Sequence, residues 1–282
     1  MPPDRVDPVD PVDPVDPVGS GRDVDFVRRA RPLLETYVRW FRPEVRGFDR
    51  LPDHGPFLVV GNHSGGATPP DLPILMTAWW RARGVEEPVY GLFHTALLSM
   101  PGVGATLARA GALEAGWANV ERALAADAAV IVYPGGDHES FRPFAERDRI
   151  DFGGRTGFVR LAVRTGVPVV ASVSCGAHDT VVVLARGAAL AERLPWLERF
   201  RVKTMPLMAG APWGLSAGLP TLQLPARVVV QLLDPIDLRT ELDTDDADDP
   251  AVLSAGYDLV TTTMQETLTR LAAERPGQRW LG

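Results

Sequence analysis

Residues 57–71 read FLVVGNHSGGATPPD, and this stretch indicates the fold of the whole chain. Its first four residues are apolar, which is typical of a short strand that is buried on both faces. Two prolines stand at 69 and 70, where the start of a helix tolerates them. We therefore expect a strand at 57–60, a glycine-containing loop and a helix at 71–83, which together form one strand-to-helix unit.

The same alternation of strand and helix continues along the chain. Short apolar runs predict further strands, and segments with helical periodicity lie between them. The predicted fold class is α/β, with a mixed, largely parallel sheet flanked by helices, and sites in such sheets lie at the strand ends. The additional strands are expected at 89–92, 129–133, 167–173 and 227–233, and the helices at 104–110, 118–126, 157–164 and 251–273.

Composition excludes several classes of protein. Of the 282 residues, 45% are hydrophobic and 23% charged, which is ordinary for a soluble globular chain, and the single cysteine, Cys175, permits neither an intrachain disulfide nor a cysteine-rich metal site. The net charge of −7 is concentrated in two acidic segments, 1–21 and 241–250, so the remainder is mildly basic. We expect no nucleic-acid partner, since that function needs a far more basic chain; a phosphate-bearing substrate or an anionic membrane surface fits better.

Three regions are predicted along the chain. Residues 1–21 repeat Val-Asp-Pro and are expected to be a disordered acidic leader, because proline at every third position removes backbone donors. Residues 22–44 are expected to form an N-terminal amphipathic helix with basic and aromatic side chains. Such a helix can lie on a membrane surface, or it can pack on a core and present a solvated basic face. The main domain is then 45–282.

The loop after the first strand carries a histidine, His63, and ends at an acid, Asp71. An imidazole can accept a hydroxyl proton near neutral pH, and a carboxylate on its other nitrogen fixes the tautomer and stabilises the imidazolium. The alternative is a loop histidine without a chemical role, with Asp71 complementing the helix N-terminus.

A second motif, YPGGDHESFR at 133–142, follows another expected strand. Its glycines, Gly135 and Gly136, allow a ligand to approach the backbone, and Arg142 can grip a phosphate or a polar head group. The alternative is a glycine turn followed by a charged surface loop. His178, after the strand at 167–173, either lines the same site or caps a loop.

Together these motifs resemble the glycerolipid acyltransferase family, which contains lysophosphatidic acid and monoacylglycerol acyltransferases. The resemblance covers roughly 45–180 and includes an apolar strand at 167–170 like the family's fourth block. It implies an acyltransferase domain that moves a fatty acyl group from an acyl thioester to a hydroxyl of a glycerolipid-like acceptor. Acyl-CoA or acyl carrier protein would be the co-substrate, and no further cofactor or metal is implied.

The resemblance also implies roles for individual residues. His63 would be the general base and Asp71 its partner, while the acceptor-binding block would comprise Gly135, Gly136, Glu139 and Arg142. Backbone N–H groups around the two glycines are candidates to stabilise the oxyanion.

The chain departs from the family pattern at two points. Seven residues separate His63 from Asp71, where the commonest form has four. The second block, at Gly111–Glu114, lacks the usual arginine, which favours a neutral acceptor over a phosphorylated one.

Two other functions agree with parts of the sequence. GLSAG at 214–218 matches the serine-hydrolase pattern G-x-S-x-G, but prolines flank it and all five histidines precede Ser216, so we attribute the match to chance. A non-catalytic lipid-binding protein of the same fold is the main alternative.

The uncharged segment 204–226 could span a bilayer by length, but its prolines and glycines predict a loop that covers an apolar pocket or touches lipid. No hydrophobic signal-peptide core opens the chain. We therefore expect a cytoplasmic protein that associates peripherally with the inner face of the membrane, through 23–42 and 204–226.

Overall fold

The computed structural model describes residues 16, 18–187, 205–219 and 221–275. The helices of these residues are α1 (Val24–Arg39), α2 (Asp71–Ala82), α3 (Thr95–Leu98), α4 (Val103–Arg109), α5 (Trp117–Ala125), α6 (Gly136–Ser140), α7 (Gly157–Thr165), α8 (Leu238–Leu242) and α9 (Pro250–Ala273). The strands are β1 (Glu44–Arg46), β2 (Phe57–Gly61), β3 (Val89–Phe93), β4 (Ala112–Glu114), β5 (Ala129–Val132), β6 (Val169–Cys175), β7 (Val182–Ala185), β8 (Leu207–Gly210), β9 (Gly214–Ala217) and β10 (Val229–Leu232).

The main sheet confirms the predicted α/β class. Its strand order is β1-β10-β6-β2-β5-β3-β4, and the pairs are parallel except for β10 against β6. β2 lies between β5 and β6, with Val60 opposite Val132 and Gly61 opposite Ser172. The loops that leave β2, β5 and β6 therefore meet at one edge of the sheet, which is where open α/β sheets place their sites.

Helices cover both faces of this sheet, which explains the unbroken apolar run in β2. Leu58 and Val60 point into one core cluster, with side chains from α5, α7 and α9. Phe57 and Val59 point into the other, with side chains from α1 and α2 that include the fully buried Trp79.

The predicted N-terminal helix is present as α1, and it belongs to the main core. Its N-cap, Asp23, accepts a hydrogen bond from the backbone N–H of Phe26 at 2.8 Å. Val27 and Val38 are buried in the cluster that also holds α2. The helix is therefore packed along one side, and its other side remains exposed.

The prediction of a disordered leader over 1–21 is wrong at its C-terminal end. Val18 is buried in the core, and the Asp16 carboxylate accepts hydrogen bonds from Gly21 N, Arg22 N and the Tyr90 hydroxyl. The buried Val18 side chain and the hydrogen-bonded Asp16 carboxylate hold this stretch in place. The remainder of the predicted leader, 1–15 and 17, lies outside the described residues.

The prediction of a loop over 204–226 is also wrong in part, because β8 and β9 form a hairpin there and pair with β7 in a small antiparallel sheet. Met208 is buried against Val181 and Val183, with Phe141 packed beside them, whereas Leu215 is exposed. One-sided burial of this kind stabilises a hairpin despite its glycines. None of the described helices is both long and apolar enough to cross a membrane.

Candidate active site

His63 and Asp71 come together at the end of β2. His63 Nδ1 lies 3.2 Å from Asp71 Oδ1 and 3.3 Å from Oδ2, and Oδ2 also accepts a hydrogen bond from Ser64 N at 2.9 Å. The aspartate side chain is buried, and the imidazole is 20% exposed. Because the carboxylate faces Nδ1, it favours the tautomer with hydrogen on Nδ1 and leaves Nε2 as the proton-accepting nitrogen.

The loop between these residues closes through two glycines. Gly65 has φ +104° and Gly66 has φ +76°, conformations that L-residues rarely adopt. The Gly66 N–H donates to the Ser140 carbonyl at 3.0 Å, which ties the loop to the second motif. The seven-residue spacing is thus compatible with direct contact between His63 and Asp71.

The residue before the histidine anchors the loop to the sheet. Asn62 is fully buried; its Nδ2 donates to the Ser174 carbonyl at 2.9 Å and its Oδ1 accepts from Ser174 N at 2.7 Å. The amide side chain therefore continues the pairing of β2 with β6 just beyond the end of β2.

A tyrosine without a predicted role in the sequence packs against the histidine. The Tyr133 ring stacks on His63 with centroids 4.4 Å apart. A Cβ at Gly61 would lie 2.5 Å from the Tyr133 ring, so this close packing requires the glycine. Burial raises the pKa of Tyr133 well above its ordinary value, so the phenol stays neutral. The available signal was its position immediately after β5, the neighbour of β2.

Glu139 supports the histidine from behind. Its carboxylate is fully buried; Oε2 accepts the His63 backbone N–H at 2.9 Å, and Oε1 accepts Asp151 N at 3.2 Å and Arg142 Nη1 at 3.1 Å. Burial raises the pKa of Glu139 to about 7, and the Arg142 guanidinium and both backbone N–H groups oppose that rise. Glu139 therefore holds the backbone of His63. Because its carboxylate is fully buried, its position does not support the predicted contact with the acceptor.

Arg142 is not exposed as a clamp for a head group, and this part of the sequence prediction is wrong. Its side chain is fully buried, with Nη1 on Glu139 and Nη2 3.3 Å from Ser64 Oγ. His178 Nε2 donates to the Arg142 carbonyl at 2.9 Å, so His178 braces this residue and does not line the site. The guanidinium compensates a buried carboxylate.

The two glycines of the second motif have separate structural roles. Gly135 lets Glu139 pack close to the backbone, where a Cβ would collide with that side chain. Gly136 has φ +47°, and its N–H donates to the Tyr133 carbonyl at 3.1 Å. The Gly136 N–H is therefore engaged by a backbone carbonyl and unsuited to stabilise an oxyanion.

The serine of the G-x-S-x-G match lies in a different structural setting. Ser216 lies inside strand β9, and its Oγ donates to the Leu219 carbonyl at 3.3 Å, so it does not occupy the strand-to-helix turn of a hydrolase nucleophile. Across the described ranges, no group of three or more His, Cys, Asp or Glu side chains is placed to hold a metal ion.

The chain is similar to the crystal structure of the 1-acyl-sn-glycerophosphate (LPA) acyltransferase PlsC from Thermotoga maritima, with a TM-score of 0.53 over 91% of this chain and 81% of that one. Sequence identity is 16%, so this likeness concerns the fold.

Residues 42–174 match the family model described as Acyltransferase. The matched region, which contains the whole His63–Asp71 loop and the second motif, is an acyltransferase domain. The chain is also 33% identical, over 246 residues and 87% of its length, to uncharacterized proteins of Mycobacterium tuberculosis and Mycobacterium leprae. The matched region spans 66% and 64% of those relatives.

Proposed function

We propose that the domain transfers an acyl group from an acyl thioester to a hydroxyl of a glycerolipid-like acceptor, with His63 as the general base. The observation that carries the proposal is the contact of His63 Nδ1 with the buried Asp71 carboxylate, which leaves Nε2 on a partly exposed ring. That arrangement is the one that base catalysis by histidine needs.

In the proposed reaction the acceptor hydroxyl gives its proton to His63 Nε2 while its oxygen bonds to the thioester carbonyl carbon. The carbon–sulfur bond then breaks, the ester is released, and the imidazolium returns the proton to the departing thiolate. Asp71 stabilises the imidazolium between these steps. Glu139, Tyr133 and Asn62 hold the histidine in place, so its position is established before substrate binds.

The acceptor that we propose is a neutral alcohol. Arg142 is buried on Glu139 and Ser64, and the β4 block at Gly111–Glu114 contains no arginine. Neither the second motif nor the β4 block therefore offers a free guanidinium for a phosphate group. For the donor, acyl-CoA and acyl carrier protein both remain candidates.

We also propose that the protein works at the cytoplasmic surface of a membrane. Leu33, Tyr37 and Trp40 lie along the exposed side of α1 at helical spacing, beside exposed arginines such as Arg29. Tyr37 and Trp40 contact the segment 221–224, which exposes Leu222. An apolar face with cationic neighbours suits a bilayer that contains anionic lipid.

The function is tested with purified protein, labelled acyl-CoA or acyl carrier protein thioesters, and a panel of neutral and phosphorylated acceptors, with products identified by mass. We expect an ester product from the wild type. His63→Ala should lower kcat by about a hundred- to ten-thousandfold with an unchanged melting temperature, because loss of a positioned general base has that cost. His54→Ala, at an exposed histidine between β1 and β2, is the matched control.

Lipid binding without product from any pairing would overturn the proposal and favour the non-catalytic alternative. Equal turnover in His63→Ala and His54→Ala would overturn the role of His63.

A further inference from the structure

We propose that Gln223 is a positioning residue that ties the aromatic side of α1 to the loop between His63 and Asp71. This inference rests on the proposed function for its kinetic consequence, but the tie itself rests on contacts alone. Gln223 lies outside the region that matches the family model, in the segment that leads from the β8–β9 hairpin to β10.

The side-chain amide of Gln223 spans the two elements. Its Nε2 donates to the Thr68 carbonyl at 2.6 Å and to the Gly65 carbonyl at 3.3 Å, and its Oε1 accepts the Tyr37 hydroxyl at 2.6 Å. Its backbone carbonyl accepts Trp40 Nε1 at 3.1 Å. One residue thus contacts two points of the loop, Tyr37 of α1 and Trp40, which is the C-cap of that helix.

These partners fix the orientation of the amide. An amide NH2 has two donors, and the two loop carbonyls use both of them. A rotated amide would place Oε1 against two carbonyl oxygens, which repel it. Partial burial and the charge of Asp71 raise the pKa of Tyr37, so its hydroxyl remains a donor to Oε1. The contacts are therefore directional, and an apolar side chain of the same size cannot reproduce them.

The loop has a specific need for such a tie. Gly65 and Gly66 allow the chain to fold back, but glycine loses more conformational entropy on ordering than other residues do. On the side facing the second motif, Gly66 N–H is held by the Ser140 carbonyl. Gln223 holds the carbonyls of Gly65 and Thr68 from the side facing α1. The loop that carries His63 and Asp71 is thus fastened from both directions.

The consequence is that the geometry of the His63–Asp71 pair depends on α1. Tyr37 and Trp40 are both exposed and both bond to Gln223. A contact that restricts the motion of these two rings therefore also restricts the motion of Gln223.

The test uses full-length Gln223→Leu, which removes the three side-chain bonds at nearly constant volume. Hydrogen exchange measured by mass spectrometry is expected to quicken several-fold at 62–71, which includes the bonded amides of Ser64 and Gly66. We expect kcat to fall by about ten- to a hundredfold, since a displacement of about 1 Å at the reacting group has such effects. KM for the thioester should change little.

Two further variants separate the contacts. Gln223→Glu keeps an acceptor for Tyr37 but loses both donors to the loop, so it should resemble Gln223→Leu. Tyr37→Phe removes only the hydrogen bond from the Tyr37 hydroxyl to Gln223 Oε1, leaves the Trp40 contact and both loop contacts, and should give a smaller change in the same exchange measurement. Asn119→Leu is the matched control, because the Asn119 amide also donates to a backbone carbonyl and accepts from a side chain, beside β4 at the far edge of the sheet.

Unchanged exchange at 62–71 in Gln223→Leu, or an equal change in Asn119→Leu, overturns the proposal. If the wild type transfers no acyl group, the proposed function fails, and the exchange result alone then decides whether Gln223 positions the loop.

Discussion

Arg142 shows how far the role of one residue can depart from the chemistry its motif suggests. A guanidinium beside two glycines resembles an anion clamp, yet in this fold it is enclosed with Glu139, and the pair holds His63 N on one side and Asp151 N on the other. A buried ion pair of this kind contributes through the groups it orients, because its desolvation offsets much of its attraction.

The placement of Arg142 leads to a prediction about stability. Arg142→Ala should lower the free energy of unfolding by about 3–5 kcal/mol, because it leaves the Glu139 carboxylate buried without its counter-charge. Urea denaturation of the variant measures the change. Arg149→Ala, at an exposed arginine of the following loop, serves as control.

Arg142→Lys keeps the charge, so its free energy of unfolding should lie between those of the wild type and the alanine variant. If Arg142→Ala instead unfolds like the wild type and only raises KM for the acceptor, the residue is a head-group clamp and does not serve as the counter-charge of Glu139.

At the scale of single elements, α1 has a packed side and an exposed side. Val27 and Val38 lie in the core, so deleting the helix would damage the fold as well as any membrane contact. Point substitutions on the exposed side separate the two effects.

Leu33→Ser should weaken binding to vesicles that contain anionic lipid by about ten- to a hundredfold, since burying a leucine side chain contributes roughly 1.5–3 kcal/mol. Leu33 is 77% exposed, so the substitution should leave the melting temperature unchanged. Vesicle flotation measures the binding. Trp117→Ser, at an exposed tryptophan on α5 across the sheet, is the control. Equal binding by the wild type and Leu33→Ser would refute a membrane role for this side of α1.

The elements also show what sequence can and cannot predict in this chain. β2 and α2 were predictable, because an unbroken apolar run and paired prolines are local signals. The β8–β9 hairpin was not, because its glycines and prolines resemble a loop and the burial of Met208 depends on Phe141 and Val181, which lie far away in sequence. Val18 was missed for the same reason.

Within the site, His63 and Asp71 were predictable because one loop carries both. The contact of Glu139 with the His63 backbone was not, since it joins loops after two different strands. Gln223 gave no sequence signal at all; its position becomes informative only once β10, α1 and the loop after β2 are placed together.

For the whole molecule, buried His178 predicts a dependence of stability on pH. Burial, with the charge of Arg142 nearby, lowers the pKa of His178 to about 3. An unfolded chain binds a proton at an ordinary histidine pKa of about 6.5. Below that pH the unfolded state holds more protons than the folded state, so the contribution of His178 is fully present above about pH 6.5 and is lost as the pH falls toward 3.

His178→Gln should therefore show a shallower loss of unfolding free energy between pH 6.5 and 4 than the wild type. Denaturation measured across that range tests it, with His54→Gln as the exposed control. If the unfolding free energy of His178→Gln and of the wild type falls equally steeply with pH, His178 does not cause the pH dependence.

The strand order also determines how the sheet is assembled while the chain is being made. β1 leaves the ribosome well before β10, its parallel neighbour in the described sheet, because the residues between Arg46 and Val229 are made in between. At the usual 5–20 residues per second, β1 waits about ten to forty seconds for that neighbour. β6, β2, β5, β3 and β4 can pair in the meantime, with the outer edge of β6 left open until β10 arrives. An open strand edge is a template for pairing with other chains. The rate of translation therefore sets how long the open β6 edge of one nascent chain is accessible to other nascent chains on the same messenger RNA.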